Sequence, residues 1–395
     1  MRYRKILHID LDAFFCSVEE MLDPTLKGTV FATGGSPDSR GVVTSCSYAA
    51  RKLGIHSAMP MKVALQKIPG LKIVHGHYGK YHDFSVQVME ILADTTPLVE
   101  QISVDEAFID VTDMPQTGRQ IASRLQERIA QETGLPCSIG IASNKLVAKI
   151  ATNIAKSSYK GEQSPRAILE VPAGHESEFL ASLPIEELWG IGKKSAAHFR
   201  QLGFHSIGDL AKAPDDFLKK EVGRFAETLK LRALGIDERP VGLEGDIKSI
   251  SNEVTFGNDI HDEEEILRTL RALSEKVASR LRAQGLCGKT IRLKIRWPDF
   301  ETHTRQLSLE QPTNHDTVIF NSIVKLFYEI WKPGKKVRLL GVAAANLTTT
   351  VQQLSILDTS FQREDQLLQA IDDLKLRFGR DVIKRGWDLE DDRRH

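Results

Sequence analysis

Cysteine is scarce in this chain of 395 residues, and the few present stand far apart without a Cys-x-x-Cys pair. Their spacing excludes a disulfide framework and the usual zinc site, and it is typical of a reducing compartment. No apolar stretch approaches the roughly 18 to 20 residues that a membrane helix needs. The first apolar run is broken by His8 and Asp10, too early for a signal peptide. We therefore expect a soluble, cytoplasmic protein. The cysteines are Cys16, Cys46, Cys137 and Cys287.

An excess of positive charge is also absent, because 53 basic residues balance 53 acidic ones. The charges are nevertheless segregated along the chain. Between Lys276 and Arg296 there are seven basic residues and no acid, and between Thr133 and Gly161 the only charges are four lysines. This pattern predicts a molecule that is neutral in sum but polarised in space. The length exceeds what one hydrophobic core supports, so several compact units are expected.

The most informative segment is the strand-like run from Val99 to Val111, which two adjacent carboxylates, Asp105 and Glu106, interrupt. Acidic residues are poor strand formers, and an unpaired buried carboxylate is costly. The pair therefore indicates a tight hairpin that presents acids to a metal cation. A second acidic pair, Asp10 and Asp12, ends an apolar strand near the N-terminus. If the two strand ends lie side by side, three or four carboxylates converge.

The order of elements supports this convergence. Outside residues 13–76, the first 142 residues read as strand, helix, strand, strand, helix, strand. This is the order of the split ferredoxin-like unit, in which the first and third strands are neighbours. Asp10 is then predicted to lie beside Asp105 and Glu106.

A capped helix after Asn144 carries three lysines, Lys145, Lys149 and Lys156, within one narrow sector. Apolar residues such as Val147 lie on the opposite side. The lysines are predicted to point outward, either to an anion or simply to solvent.

A glycine turn, Gly190-Ile191-Gly192, precedes a helix that begins with Lys193 and Lys194. Glycines let backbone amides approach a phosphate, and a helix N-terminus favours negative charge. Together with a second glycine turn at Gly203, the pattern predicts a helix-hairpin-helix that binds the DNA backbone. The alternative is a plain turn without a ligand.

Strict alternation marks the later strand Ile291 to Arg296. It predicts that Ile291, Leu293 and Ile295 enter the core, and that Arg292, Lys294 and Arg296 share the open face. Cations in a row repel each other unless an anion lies across them, and duplex phosphates are the natural candidate. The alternative is a polar outer face, which would more often mix signs.

These motifs together resemble the Y-family translesion DNA polymerases, in particular the bacterial DNA polymerase IV type related to eukaryotic polymerase kappa. The resemblance extends from the first strand to about Leu347. It is carried by Ile9-Asp10-Leu11-Asp12-Ala13-Phe14-Phe15, Tyr48-Ala49-Ala50-Arg51, Ser103-Val104-Asp105-Glu106-Ala107, and Gly140-Ile141-Ala142-Ser143-Asn144-Lys145 with Ala148-Lys149.

The resemblance implies an α+β, multidomain, right-hand fold with a ferredoxin-like palm. The implied domains are a palm (1–12 and 77–166), small fingers (13–76), a helix-hairpin-helix thumb (167–232), a linker (233–242), a DNA-binding α/β little finger (243–348) and a C-terminal tail (349–395).

The resemblance also implies the roles of site residues. Asp10, Asp105 and Glu106 would be catalytic and would hold two Mg²⁺ ions with the Leu11 carbonyl. Asp12 is expected to be an N-cap for the helix that begins at Ala13. The residues implied in deoxynucleotide binding are Phe14, Phe15, Tyr48, Arg51 and Lys156.

Phe15 matches the steric gate that rejects a 2′-hydroxyl, although the same ring could serve only core packing. Ser157 follows Lys156 where the family commonly has proline, which leaves that loop less fixed.

The tail contains a short apolar peptide that resembles a sliding-clamp-binding motif but ends in leucine instead of phenylalanine. Its alternative is a plain packing segment. Its residues are Gln353, Leu354, Ile356 and Leu357. The resemblance implies that the protein binds primer-template DNA and deoxynucleoside triphosphates, with the sliding clamp as a possible further partner. It also implies a monomer that does not associate with a membrane.

The expected function is a template-directed, Mg²⁺-dependent DNA polymerase that crosses damaged bases with low fidelity and low processivity. One alternative is a catalytically silent DNA-binding accessory protein of the same fold, against which the intact acids argue. A nucleotide cyclase would also use two aspartates and two metals. In a nucleotide cyclase, however, the glycine turn and the basic strand would have no role, which argues against this alternative.

Overall fold

The structure is a computed structural model that describes residues 3–161, 163–242, 245, 247–349, 359–379 and 382–383. The chain divides into two compact units, a first unit of Met1–Gly245 and a second unit of Asp246–His395. No helix in these ranges is both long enough and apolar enough to cross a membrane.

The first unit combines two sheets with a helical segment. In chain order it forms β1 (Ile6–Leu11), α1 (Phe14–Leu22), β2 (Phe31–Gly34), β3 (Val43–Cys46), α2 (Tyr48–Lys52), α3 (Met61–Lys67), β4 (Lys72–Val74), α4 (Tyr78–Thr95), β5 (Val99–Gln101), β6 (Glu106–Asp110), α5 (Gly118–Thr133), β7 (Cys137–Ala142), α6 (Lys145–Ser158), β8 (Ile168–Glu170), α7 (Glu176–Ala181), α8 (Lys193–Gln201), α9 (Ile207–Lys212), α10 (Asp215–Val222) and α11 (Ala226–Ala233).

The main sheet has the order β5-β6-β1-β7-β8, with β1 in the middle. Both neighbours of β1 run antiparallel to it, and β8 runs parallel to β7. The elements β1, α4, β5, β6, α5 and β7 reproduce the predicted strand and helix order. The first and third strands of that series are adjacent, as predicted.

The alternation of side chains in β1 decides which helix each residue meets, because successive side chains point to opposite faces. Leu7, Ile9 and Leu11 belong to the core that includes α4 and α5. Ile6 belongs to the core on the α6 side, and the His8 ring hydrogen-bonds Thr152 of α6 at 2.9 Å. Asp10 continues this second series and therefore projects toward α6.

Helix α6 lies unusually close to β7 because residue 140 is glycine. A Cβ atom at Gly140 would stand 2.0 Å from the carbonyl oxygen of Ala148 and 2.6 Å from the backbone nitrogen of Thr152. Real Cβ atoms do not approach other atoms so closely, so only glycine permits this contact. The helix is thereby held against the strand at the middle of its length.

A smaller sheet, β3-β2-β4, carries residues 31–74. Strands β2 and β3 are antiparallel, and β4 is parallel to β2. The sequence pattern predicts strand-like runs at Thr29 to Thr33 and Gly41 to Ser45, which β2 and β3 confirm. It missed β4, since three residues are too few to show a period. Helices α7 to α11 form the helical segment, whose buried residues, among them Leu188 and Phe199, continue the core on the α6 side.

The second unit is an antiparallel sheet with helices on one face, in the order β11-β10-β12-β9. The four strands that the sequence pattern predicts in this region are present and are longer than predicted; the predicted runs are Ser249 to Phe256, Thr290 to Trp297, Thr304 to Leu309 and Val337 to Leu347. Its elements are β9 (Ser249–Ile260), α12 (Glu263–Ala283), β10 (Leu286–Arg296), β11 (Thr302–Thr313), α13 (Asp316–Ile330), β12 (Val337–Thr349) and α14 (Thr359–Phe378).

The predicted alternation in β10 is confirmed. Ile291, Leu293 and Ile295 are fully buried in the core with α12 and α13, whereas the three cations between and after them are partly exposed. The open face is less purely basic than predicted, because Lys294 Nζ binds Glu253 of β9 at 2.7 Å. Arg292 and Arg296 donate to the neutral side chains of Gln306 and Thr302 on β11.

Candidate active site

The carboxylates predicted to converge lie at the ends of two paired strands. Asp10 stands directly opposite Glu106 in the antiparallel pairing of β1 and β6. Opposed residues in such a pair have Cα atoms about 4.5–5.5 Å apart and side chains on the same face. The backbone N–H of Leu11 also donates to the carbonyl of Asp105 at 3.0 Å. The predicted adjacency of Asp10 to Asp105 and Glu106 is therefore confirmed for the backbone.

The hairpin that carries Asp105 is fixed by Ser103. The Ser103 hydroxyl accepts hydrogen bonds from the backbone N–H groups of Asp105 and Glu106, at 3.3 and 3.0 Å. It donates to Asp105 Oδ1 at 2.6 Å. A small hydroxyl residue can serve all three contacts only in a tight turn, and this explains how two adjacent acids are presented at a strand end.

Two lysines of α6 lie on these acids. Lys149 Nζ is 2.6 Å from Glu106 Oε2, and Lys156 Nζ is 2.5 Å from Asp10 Oδ1 and 3.4 Å from Asp12 Oδ1. The third lysine, Lys145, is 4 % exposed and binds a different carboxylate of the sheet, on β5.

The prediction that these lysines point outward was wrong, because all three ammonium groups bind carboxylates of the main sheet. They do share one helix face, but that face is turned toward the carboxylates of β5 and β6. The ion pairs compensate the burial of the lysine ammonium groups, which would be costly without a partner.

The site holds more negative than positive charge. Asp10, Asp12 and Glu106 pair with the two ammonium groups of Lys149 and Lys156, and the fourth acid, Asp105, is hydrogen-bonded by Ser103. Burial raises the pKa of Asp10 to about 6; attraction to Lys156 opposes this rise, and repulsion from Glu106 and Asp105 adds to it. Burial alone would lower the pKa of Lys156, but Asp10 and Asp12 outweigh it and leave that pKa above its ordinary value.

This chemistry fits a divalent cation. Mg²⁺ takes oxygen ligands, and the acids at the strand ends offer only oxygen. Across the ranges that the structure describes, no three acidic, histidine or cysteine side chains converge into a ready-made metal site. Asp10 and Glu106 are turned to the lysines instead, so a cation that binds here would have to share these carboxylates with ammonium groups.

Asp12 does not have the role predicted for it. The N-cap of α1 is Ala13, in a left-handed conformation with φ 45°, and it makes no side-chain cap. The fully buried Asp12 carboxylate instead accepts hydrogen bonds from Ser138 Oγ at 2.9 Å and from the Arg166 backbone at 3.0 Å. It therefore ties the end of β1 to β7 and to the segment before β8.

Two of the residues implied in nucleotide binding lie close to Asp12. The Tyr48 hydroxyl is 3.5 Å from Asp12 Oδ1, and the Arg51 guanidinium stacks on the Tyr48 ring at 4.9 Å from its centroid. Burial raises the pKa of Tyr48. Since Lys156 also reaches Asp12, the structure brings Tyr48, Arg51 and Lys156 to one place.

The two adjacent phenylalanines differ in environment. Phe14 is 2 % exposed and belongs to the core, whereas Phe15 is half-buried and stacks on Tyr81 with ring centroids 4.5 Å apart. The Tyr81 hydroxyl donates to Glu19 Oε1 at 2.5 Å. Sequence reasoning missed Tyr81 and Glu19. A buried glutamate four residues after Phe15, on an otherwise apolar helix face, was the available signal.

Residues 9–153 match the impB/mucB/samB family, residues 174–204 match the HHH motif of that family, and residues 247–356 match its C-terminal domain. The DNA polymerase IV of Dehalococcoides mccartyi (strain CBDB1) is 39 % identical over 390 residues, covering 98 % of each chain. The DNA polymerase IV 1 of Halalkalibacterium halodurans is 36 % identical, covering 98 % of this chain and 94 % of the relative. This chain belongs to the impB/mucB/samB family of Y-family DNA polymerases.

Solved structures agree with the assignment at the level of fold. A Dbh-Dpo4-Dbh Y-family DNA polymerase chimera superposes with a TM-score of 0.77 at 24 % identity, covering 87 % of this chain and 99 % of the chimera. An insertion ternary complex of Dbh DNA polymerase gives a TM-score of 0.62 with the same coverage. The fold is thus the right-hand polymerase fold, with palm, fingers, helix-hairpin-helix thumb and little finger. The chain is a DNA-directed DNA polymerase, and divalent-metal dependence is general to its family.

In this Y-family polymerase the thumb turn has the predicted form. Gly190 has φ +105°, a conformation that favours glycine, and Gly192 is the N-cap of α8. Lys193 and Lys194 follow in the first turn of that helix and are exposed. The amide groups and ammonium groups that a phosphate would contact are therefore open to solvent.

The buried contact between Tyr81 and Glu19 predicts a stability effect. We expect Tyr81→Phe to lower the free energy of unfolding by about 1–2 kcal/mol, because the Glu19 carboxylate, 1 % exposed, loses a hydrogen-bond donor. Chemical denaturation measures the change. Tyr78→Phe is the matched control, since the Tyr78 side chain is 64 % exposed. Equal losses in the two variants would contradict the role of the buried hydrogen bond.

Proposed function

We propose that this polymerase extends primer-template DNA by two-metal nucleotidyl transfer, with low fidelity and across damaged bases. The observation that carries the proposal is the register of β1 and β6, which sets Asp10 opposite Glu106 beside the Asp105 hairpin. Surplus negative charge at an all-oxygen site supports the use of Mg²⁺. Primer extension opposite damaged and undamaged bases, with and without Mg²⁺, tests the proposal.

The acids would hold the metals. In this proposal Asp10, Asp105, Glu106 and the Leu11 carbonyl bind two Mg²⁺ ions, which when bound activate the primer 3′-hydroxyl and neutralise the triphosphate and the leaving pyrophosphate. Ser103 keeps the Asp105 carboxylate oriented through its 2.6 Å hydrogen bond. Asp12, fully buried and already hydrogen-bonded by Ser138, Arg166 and Tyr48, acts as a support and not as a ligand.

The nucleotide would lie over the basic residues near Asp12. Arg51 offers the planar fork that suits phosphate oxygens, and Lys156 offers a point charge. Lys156 binds Asp10 in the protein alone. A cation on Asp10 would compete with that contact and make the ammonium available to the triphosphate. Tyr48 would donate its hydroxyl to the phosphates. Phe14 is buried in the core, so its ring would support the nucleotide-binding residues without contacting the nucleotide itself.

Phe15 would be the sugar gate. Its ring is half-buried and packs against the rings of Tyr81 and Phe14, with centroids 4.5 and 5.4 Å away, which restricts its movement. A 2′-hydroxyl would then meet a ring that cannot move away freely.

The proposed domain bounds follow the sequence prediction: a palm of 1–12 and 77–166, fingers of 13–76, a thumb of 167–232, a linker of 233–242 and a little finger of 243–348.

The DNA contacts would come from Gly190, Gly192, Lys193 and Lys194 in the thumb and from Arg292, Lys294 and Arg296 in the little finger. The predicted clamp peptide, Gln353 to Leu357, lies outside the described residues. The monomeric state and clamp contact remain predictions.

The basic strand predicts a salt effect. Replacing Arg292, Lys294 and Arg296 together with glutamine is expected to reduce the slope of log K against log salt for duplex binding by about one for each phosphate that is no longer neutralised. Titration at several salt concentrations measures the slope. The matched control replaces the exposed Lys276, Lys325 and Lys332, on or just after the helices of the same unit, with glutamine. An equal fall in both variants would mean that the open face has no special part in binding.

A further inference from the structure

One aromatic ring of the thumb lies against the lysine that covers Glu106. The ring centroid of Trp189 is 5.7 Å from Lys149 Nζ, and the same ammonium is 2.6 Å from Glu106 Oε2. A second cation, Arg239, is also near this ring, at 5.1 Å, and Phe108 of β6 packs 6.0 Å away. Trp189 thus lies within cation–π distance of the lysine that binds Glu106.

The position of the ring is set by the thumb turn. Trp189 immediately precedes Gly190, and its carbonyl accepts a hydrogen bond from Arg232 at 3.2 Å. The indole is half-buried and packs against the core shared by α6 and the helical segment. The backbone of the turn and the surrounding core therefore restrict where the indole can lie.

Lys149 and a divalent cation need the same carboxylate. The Lys149 side chain is 14 % exposed and that of Glu106 is 23 % exposed, so water screens their attraction only in part. An aromatic face adds a further attraction for an ammonium, and this attraction is larger where water is displaced. Whatever keeps Lys149 in place therefore opposes the binding of a cation to Glu106.

We propose that Trp189 is a positioning residue, which keeps Lys149 on Glu106 and so weakens the binding of divalent cations at that carboxylate. The inference rests on the proposed role of Glu106 as a metal ligand. A residue of the thumb, Trp189, would thus change the affinity of a palm carboxylate for cations, and it would do so only through Lys149. The alternative is that Trp189 only fills space beside Phe108.

The test measures metal binding without catalysis. Mn²⁺ is titrated into the full-length protein without DNA, and free Mn²⁺ is followed by electron paramagnetic resonance. We expect Lys149→Met to bind Mn²⁺ about tenfold more tightly, because a competing charge is removed. Trp189→Leu is expected to bind about threefold more tightly, and Trp189→Phe, which keeps an aromatic face, to stay within about twofold of the unchanged protein.

The double variant separates positioning from packing. If Trp189 acts through Lys149, Trp189→Leu adds nothing in the Lys149→Met background, since residues that act through one contact are not additive. Arg239→Gln is the control, because it removes the other cation from the ring without touching Glu106. The inference is overturned if Trp189→Leu strengthens Mn²⁺ binding as much in the Lys149→Met background as in the unchanged protein. It is also overturned if Trp189→Leu has no effect in either protein. If Glu106→Gln binds Mn²⁺ as tightly as the unchanged protein, Glu106 is not a metal ligand, and the proposed function fails at that residue instead.

Discussion

Asp105→Asn is expected to reduce the rate of primer extension by about a thousandfold or more, which corresponds to roughly 4 kcal/mol of activation free energy. The amide keeps the size of the side chain and still accepts the Ser103 hydrogen bond, so the hairpin should persist. What is lost is one negative charge at a site that depends on charge to hold cations. Single-turnover extension of a primer on a gapped template with Mg²⁺ measures the effect.

The control for this experiment is Asp94→Asn, which removes an exposed carboxylate at the far end of α4 that binds Arg128. It should extend primers at the rate of the unchanged protein. Duplex binding by Asp105→Asn should also be unchanged or slightly stronger, since fewer like charges face the DNA. If Asp105→Asn extends primers within tenfold of the unchanged protein, the metal assignment is wrong.

Phe15→Ala is expected to lower the preference for deoxynucleotides over ribonucleotides by about a hundredfold. The ring now occupies the space beside Tyr81, and its loss would leave room for a 2′-hydroxyl. Steady-state kcat/KM for each nucleotide, measured opposite the same template base, gives the ratio.

Phe15→Tyr is the matched variant, because it keeps the aromatic ring and should keep most of the preference. A protein in which Phe15→Ala leaves sugar selectivity unchanged would show that Phe15 serves core packing alone. The metal site would not be affected by that outcome, since Phe15 does not touch the acids.

The sequence predicted the backbone of the site well. The order of strands and helices was enough to make β1 and β6 neighbours, and the alternation in β10 correctly separated Ile291, Leu293 and Ile295 from the cations beside them. Both predictions depend on local periodicity and on a small set of allowed topologies. These are properties that a sequence expresses directly.

The wrong sequence predictions concern the partners of a side chain, that is, which residues of other elements lie opposite a given helix or strand face. Helical periodicity grouped Lys145, Lys149 and Lys156 on one face, but it carries no information about the carboxylates of β5 and β6 that meet two of them. Asp12 was assigned to a local cap because its true partners, Ser138 and Arg166, are more than a hundred residues away in the chain. Glu253 escaped notice as a partner of Lys294 because it lies two strands away in the sheet, on β9, and alternation within β10 does not show which residues lie beside that strand.

The close contact at Gly140 has a consequence for the acids beside it, because Gly140 pairs with His8, two residues before Asp10 on β1. Because β7 touches α6 at Ala148 and Thr152, the height of the whole helix above the palm is determined there. Lys149 and Lys156 are carried on that helix, so the reach of both ammonium groups is determined by a residue that has no side chain and touches no substrate. A bulkier residue at that place is expected to push α6 away from β7 and to shift both ammonium groups relative to their acids together, so an uncharged residue helps to set the electrostatic balance of the site.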